Sequence, residues 1–272
     1  MPRVPDRQRS DGSDNRAARI RAGTESMSDS PTISVIMPVR NGEKYIADAL
    51  KTILDQAWPV QEILVVDDGS TDRSREIVET LASRFPAIHV LDGPRRGPGP
   101  ARNVGLRIAR GEFIGFLDCD DLWPADKLSL HLGRFARTPH MDVVSGFVSY
   151  FNRQMTDAPA PDPAAITDEL FHVHLGATLY RRTVFDRVGI FDENFLYSED
   201  VDLMLRIREA DIPMTILNAV TLCYRRHAES MTSTYTAEEK RDFNRALMQS
   251  LMRRRKSGKT RPLPPFKHLM EE

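Results

Sequence analysis

Hydrophobic positions along the chain follow two periods in turn. Ile33-Ser34-Val35-Ile36-Met37-Pro38-Val39 is a nearly unbroken apolar run of strand length, closed by Pro38 near its end. Past a turn at Asn41-Gly42, the residues Tyr45, Ile46, Ala49, Leu50, Ile53 and Leu54 fall at helical spacing and stop before Trp58-Pro59. The alternation then repeats. Ile63–Val66 reads as a second strand, and Ile77, Val78, Leu81, Ala82 and Phe85 form the buried face of a second helix. Ile88–Leu91 is a third strand. A loop rich in glycine, proline and arginine, Gly93–Pro100, leads into a helix over Ala101–Ala109, with Pro100 at a first position that tolerates it. Phe113, Ile114, Phe116 and Leu117 make the fourth strand, and a helix follows from about Pro124 to Arg137. This pattern predicts an α/β fold, a mostly parallel sheet with helices on both faces.

The pattern is weaker afterwards. Met141–Phe151 reads as a strand and the polar stretch Asn152–Asp168, with Pro159, Pro161 and Pro163, as a loop. A short strand at Ala177–Tyr180 and a short helix at Arg182–Val188, stopped by Gly189, come next. Glu199, Asp200 and Asp202 open a further helix, where acids suit the positive end of the dipole. Two strands, Met214–Leu217 and Val220–Tyr224, and a helix over Thr236–Arg255 complete the expected elements. The predicted organisation is a disordered tail over residues 1–30, one domain over 31–235 with a smaller acceptor-side subregion, and a C-terminal helix with a basic, proline-containing tail over 236–272. The run Arg253–Arg261 reads as solvated tail.

Ligands of such sheets bind beyond the C-terminal strand ends. Three of the first four strands end in polar residues there: Arg40-Asn41, Asp67-Asp68 and Asp118–Asp121. The last is the most pointed, because three carboxylates within four residues repel one another and lose water. A divalent cation with oxygen ligands, Mg²⁺ or Mn²⁺, offsets that repulsion at Asp118 and Asp120. Asp121 reads as a turn or helix cap.

Composition narrows the picture. With 272 residues, 40% of them hydrophobic, and a net charge of −1, the chain has ample core and no bulk charge to recruit nucleic acid. Two cysteines, Cys119 and Cys223, make neither a disulfide framework nor a zinc cluster. The absence of an apolar run of about eighteen residues predicts no spanning helix and a cytoplasmic protein, at most peripheral at the inner face of a membrane. The polar first thirty residues carry no secretory pattern, and Met27 is the expected initiator.

Five motifs in order then resemble glycosyltransferase family 2, with its GT-A fold, over about residues 32–232. They are ISVIMPVRNGEKYI, EILVVDDGSTDRS, GPGPARNVGLRIARGEFIGFLDCDDLW, FDENFLYSEDVDLMLRI and CYRRHAESMT. The resemblance implies an inverting transferase that moves a sugar from a nucleotide-diphosphate donor, most often UDP-linked, to a hydroxyl of a saccharide, lipid-linked or other acceptor. It implies that Asp118 and Asp120 hold Mg²⁺ or Mn²⁺ against the diphosphate, with His227 in reach of metal or phosphate. It implies Asp67 on the base, Pro38, Val39, Arg40, Asp118 and Cys119 along the nucleotide pocket, and Asp200 as general base. Arg40 departs from the family, which often has an aromatic residue there. Arg95, Arg96 and Arg102 are individually weak candidates for phosphate or sugar contacts, and Asp68 reads as a loop stabiliser.

Two other readings stay open: nucleotidyl transfer on a related sheet, although Arg40-Asn41-Gly42 is a poor phosphate loop, and a nucleotide-sugar-binding module without turnover. A dinucleotide-dependent oxidoreductase lacks its GxGxxG spacing after the first strand. Donor sugar, acceptor, pathway and oligomeric state are not legible.

Overall fold

A computed structural model of the chain describes residues 30–151, 174–227, 236–259, 262–263 and 265–270. Every element described belongs to the unit Pro31–Glu272. The expected tail, Met27 and the loop Asn152–Asp168 lie outside the described residues, as does the HAESMT motif beyond His227.

The first half follows the periodic pattern closely. Strand β1 (Ile33–Val39), helix α1 (Ile46–Leu54), β2 (Glu62–Asp67), α2 (Ser74–Ala82), β3 (Ile88–Asp92), α3 (Pro98–Ile108), β4 (Phe113–Phe116) and α4 (Lys127–Arg137) alternate as expected. The remainder is β5 (Val143–Phe151), a 3-10 turn at Leu175–Ala177, β6 (Leu179–Arg181), α5 (Thr183–Val188), α6 (Glu199–Glu209), β7 (Met214–Arg225) and α7 (Ala237–Lys256), then a 3-10 turn at Phe266–Leu269.

One seven-stranded sheet, ordered β3-β2-β1-β4-β6-β5-β7, holds them together. The pairs among β3, β2, β1 and β4 are parallel, as is β5 with β7. Only β6 runs against its neighbours. Side-chain alternation on β1 sends Val35, Met37 and Val39 to one face, with α1, Val78 of α2, and Leu128 and Phe135 of α4. Ile36 faces the opposite side, with Phe116, Tyr180, Phe185, Leu203 and Ile207. Both faces are covered by helices, which keeps the parallel strands buried.

Three boundaries differ from expectation for physical reasons. Helix α3 begins at Pro98, two residues before Pro100, because Gly97 turns the chain at φ 97°. Both prolines then sit in the first turn, where no amide donor is needed. Helix α4 begins at Lys127 rather than near Pro124, and Asp121 does not cap it. The two expected strands Met214–Leu217 and Val220–Tyr224 are one strand, β7, whose pairing with β5 shifts register at Ser145–Val148. The exposed Asn218 interrupts the apolar pattern, but the bulge absorbs it. Gly146 lies inside that irregularity, and a Cβ there would stand 2.5 Å from Thr221 Cγ2.

Helix α7 opens with a capping box between Thr236 and Glu239 and packs on α6 through Ala246 and Ser250. Arg253 is not solvated tail. Its guanidinium pairs with Glu209 at 2.7 Å and Asp202 at 3.0 Å, and Lys259 pairs with Asp211.

Candidate active site

A cavity of about 770 Å³ opens where the C-terminal ends of β1 and β4 meet the start of α6, with Asp68 at the end of β2 on its wall. Pro38, Val39 and Arg40 come to it from β1 and the turn beyond, and Asp118, Cys119 and Asp120 from the loop after β4. Glu199 and Asp200 arrive on the first turn of α6, and His227 just past β7. The topology thus brings together residues some 190 positions apart in the chain.

Asp67 is the exception among the expected site residues. It is buried at the end of β2, outside the cavity wall, where its Oδ1 accepts from the Ser70 amide at 2.8 Å. Asp68 lines the wall and also stabilises a loop: its carboxylate accepts from the amides of Arg95 (2.6 Å), Arg96 (3.3 Å) and Gly97 (2.7 Å). Arg95 and Arg96 stay on the cavity wall, and Arg96 pairs with Glu193.

The approach to the cavity is held by unusual backbone. Four non-glycine residues among those described have positive φ: Asn41, Arg95, Ser198 and Asp211. The first three line the cavity. Ser198 at φ 62° immediately precedes Glu199 and Asp200, turning α6 so that its acidic first turn enters the site. Left-handed backbone of this kind costs about 1 kcal/mol per residue and concentrates at functional sites.

Arg102 is the electrostatic centre. Buried on α3, it donates through Nη2 to Asp118 Oδ1 and through Nη1 to Glu199 Oε1, each at 2.6 Å. Burial alone would lower its pKa, but the charges of Asp118 and Glu199 outweigh that and hold it above its ordinary value. Burial pushes Asp118 up, but the Arg102 charge and hydrogen bond together with His174 outweigh it and hold the carboxyl below its ordinary value. Glu199 goes the other way. Burial raises its carboxyl to about 7 despite Arg102, with the Asp200 charge adding to the rise.

Past β4 the acids outnumber their cations. Asp120 is raised by burial and by the charge of Asp118, against the pull of His227, whose Nε2 stands 2.9 Å from Asp120 Oδ2. Asp121 is raised further, by burial and by both neighbouring acids. Its Oδ1 accepts from the Arg225 amide at 2.9 Å, fastening the end of β7, while its buried Oδ2 has no partner among the described residues. Burial and the same acids also push the Cys119 thiol up, so it stays protonated.

This excess of buried negative charge suits a divalent cation. Arg102 occupies one oxygen of Asp118 and His227 one oxygen of Asp120, which leaves Asp118 Oδ2 and Asp120 Oδ1 without a side-chain partner among the described residues. A second grouping shares Asp118: ligand atoms of Asp118, Asp121 and His174 lie within 4.8 Å of one another. His174 was not legible as a site residue, since a lone histidine before a short strand carries no periodic or motif signal. Its Nδ1 already accepts from the Gly176 amide at 3.1 Å, so a neutral ring carries its proton on Nε2. In that tautomer His174 is a donor toward the carboxylates rather than a metal ligand. Its turn is held from behind by Trp123 Nε1 and Lys127 Nζ, both donating to Gly176 O at 2.9 Å.

A profile described as Glycosyl transferase family 2 matches residues 34–191, more than half of the chain. The chain belongs to this family. Among curated relatives it is 32% identical to the uncharacterized glycosyltransferase EpsJ of Bacillus subtilis over 219 residues, 74% of this chain and 63% of EpsJ. It is 30% identical over 217 residues to WfgD of Escherichia coli, named a UDP-Glc:alpha-D-GlcNAc-diphosphoundecaprenol beta-1,3-glucosyltransferase, covering 78% of this chain and 84% of WfgD. The crystal structure of Staphylococcus aureus TarS 1-349 in complex with UDP-GlcNAc superposes with a TM-score of 0.66 at 26% identity, covering 81% of this chain and 66% of that one. The chain spans less than two thirds of EpsJ's length. The family and the mixed α/β sheet with flanking helices agree with the sequence reading.

Proposed function

We propose that this family 2 chain transfers a sugar from a nucleotide-diphosphate donor to an acceptor hydroxyl with inversion, using Asp200 as general base. The observation that carries the reading is the meeting, across one cavity, of the Asp118–Asp120 pair and the acidic first turn of α6, with Arg102 bridging them. UDP is the favoured nucleotide, because WfgD is named for a UDP-sugar and the TarS structure holds one.

In this reading Pro38, Val39, Arg40 and Cys119 form the wall against which the nucleotide lies, and Asp67 reaches the base. Asp67 would do so from beside the cavity, through the Oδ2 side of its carboxylate, which the Arg75 guanidinium faces at 3.7 Å. Asp118 and Asp120 would hold Mg²⁺ or Mn²⁺ through their unengaged oxygens, and the ion would neutralise charge on the departing diphosphate. His227 orients Asp120 through Nε2; as a ligand it would have to exchange that hydrogen bond for the metal. The acceptor oxygen bonds the anomeric carbon as the carbon–phosphate oxygen bond breaks, and the hydroxyl proton passes to the Asp200 carboxylate. Arg102 fixes the separation of the two acidic groups, since one guanidinium grips both.

A lipid-linked saccharide is favoured by WfgD, whose name specifies a diphosphoundecaprenol-linked acceptor. No described helix is long and apolar enough to cross a membrane.

The test is binding and hydrolysis of UDP-sugars with and without Mn²⁺ or Mg²⁺. Wild type should turn over only with metal, and Asp120→Asn should lose at least about 10²-fold. Full metal-dependent turnover by Asp120→Asn would sink the metal assignment. Asp200→Asn should lower transfer about 10²–10⁴-fold with donor binding nearly intact; lost donor binding would make Asp200 a ligand contact instead.

A further inference from the structure

Nine large apolar side chains are exposed among the described residues, and six of them belong to or adjoin one helix. Phe243, Leu247, Met248, Leu251 and Met252 all lie on α7, between 37 and 63% exposed. Leu196 lies beside them, tied to the helix where the Leu196 and Tyr197 amides donate to Asp242 at 3.1 Å. The opposite side of α7 is already used: Ala246 and Ser250 are buried, and Arg253 is pinned to Glu209 and Asp202 of α6. The apolar side chains therefore look outward from a helix that the fold holds firmly. Single exposed leucines need no explanation, but a contiguous patch of this kind does.

The charge around the patch says what covers it. Helix α7 carries seven cations and three acids in a chain whose net charge is −1. Each acid is engaged locally: Glu238 with Arg241, Glu239 in the capping box, and Asp242 with the amides of Leu196 and Tyr197. Beyond Arg253, which Glu209 and Asp202 take up, the last turn adds Arg254, Arg255 and Lys256 with no acid among them. An apolar stripe with a cationic rim fits a surface that is anionic outside and apolar a few ångströms in. A second copy of the chain fits less well, because the charge-balanced first half of α7 gives the cationic end nothing to pair with.

The patch also reaches the active site, since Leu196 and Phe243 line the cavity as well. We propose that α7 docks the chain on an anionic lipid bilayer, lying in the interface with Leu247, Met248, Leu251 and Met252 inserted. Docking in this pose sets the mouth of the cavity at the membrane surface, where an acceptor carried on a lipid presents its hydroxyl. The acceptor half of this inference rests on the proposed sugar transfer; the docking half does not.

Sedimentation of the full chain with phosphatidylcholine vesicles, with and without phosphatidylglycerol, separates the two. Anionic vesicles should bind at least about tenfold more tightly than neutral ones, and the preference should shrink with salt. Leu247→Glu/Leu251→Glu should weaken binding by about tenfold or more while metal-dependent hydrolysis of UDP-sugar is unchanged. Arg255→Glu/Lys256→Glu should remove the preference for anionic vesicles. No binding to anionic vesicles, or equal binding by the Leu247→Glu/Leu251→Glu variant, overturns the docking. So does a wild-type dimer that this variant converts to monomer. Vesicle binding without any sugar-nucleotide turnover would instead uphold α7 and overturn the proposed reaction.

Discussion

Strand β2 ends in Asp67 and Asp68, with Asp72 close behind. Two strands along the sheet, β4 runs into Asp118, Asp120 and Asp121. The two clusters look alike in sequence and are built in opposite ways. At β2 the carboxylates are satisfied mainly by amides: Ser70 for Asp67, the successive amides of Arg95, Arg96 and Gly97 for Asp68, and Glu43 and Ser74 for Asp72. Asp72 is accordingly held below its usual pKa, since the hydroxyl and amide bonds from Ser74 and Glu43 outweigh its burial. At β4 the Arg225 amide reaches Asp121, but burial with mutual repulsion still raises Asp120 and Asp121. Acids that accept from main-chain amides hold loops in place. Acids left in excess, facing a cavity, are where a cation and a reaction fit.

The contrast can be broken most forcefully at Arg102. Arg102→Ala leaves Asp118 and Glu199 without their shared cation and should destabilise the fold by about 3–5 kcal/mol in urea unfolding. A loss under about 1 kcal/mol would mean that water replaces the guanidinium and the cluster is not truly buried. Next comes Asp68→Ala, which strands three amides of the 93–97 loop. We expect about 2–3 kcal/mol of lost stability and faster proteolysis in that loop; an unchanged melting temperature would show that the loop holds itself.

Glu199 gives a pH test. Its folded pKa of about 7 lies above the unfolded carboxylate value near 4.5, so between these pH values the folded state keeps a proton that the unfolded chain has released. Stability from this group is therefore fully present at low pH and falls as pH rises from about 4.5 to about 7. Glu199→Gln should flatten that slope, by at most about 3.5 kcal/mol across the window at about 1.4 kcal/mol per pKa unit. Melting temperatures of both proteins from pH 4.5 to 8 check it, and parallel curves would refute it. The smallest effect sharpens the comparison best. Without added metal, Asp121→Asn should stabilise the protein by about 1 kcal/mol by removing a repelled charge, whereas Asp72→Asn should destabilise it by a similar amount. Equal signs for the two would erase the distinction between the clusters.

Legibility followed the same division. The strands and helices from Ile33 to Arg137 were readable because each buries a face, and burial writes a period into the sequence. Asp118 and Asp120 stood out because clustered charges at a strand end need a reason, whereas Asp200 was singled out only by the resemblance to the family's motif, since acids in a first helical turn are ordinary. Arg102 was visible only as one arginine among several in a loop-and-helix stretch, and His174 was not visible at all. Neither has a periodic signature, because each acquires its role from partners 16 to 97 residues away or from a turn in a part of the chain without alternation. The single strand β7 was missed for a related reason: a bulge let one polar residue interrupt the pattern without ending the pairing.

By itself the sequence determined the alternating elements, the edge of the sheet where the cavity opens and the acids placed there, because local periodicity and strand-end chemistry are properties of neighbouring residues. Only the tertiary structure decided which of those acids are satisfied and which are not. It turned Asp67 and Asp68 toward amides, put Arg102 between Asp118 and Glu199, and left an apolar face of α7 uncovered beside the cavity. Those outcomes depend on which distant groups arrive at the same place, and hydrogen bonding and charge act over a few ångströms of space, however far apart the residues are in the chain.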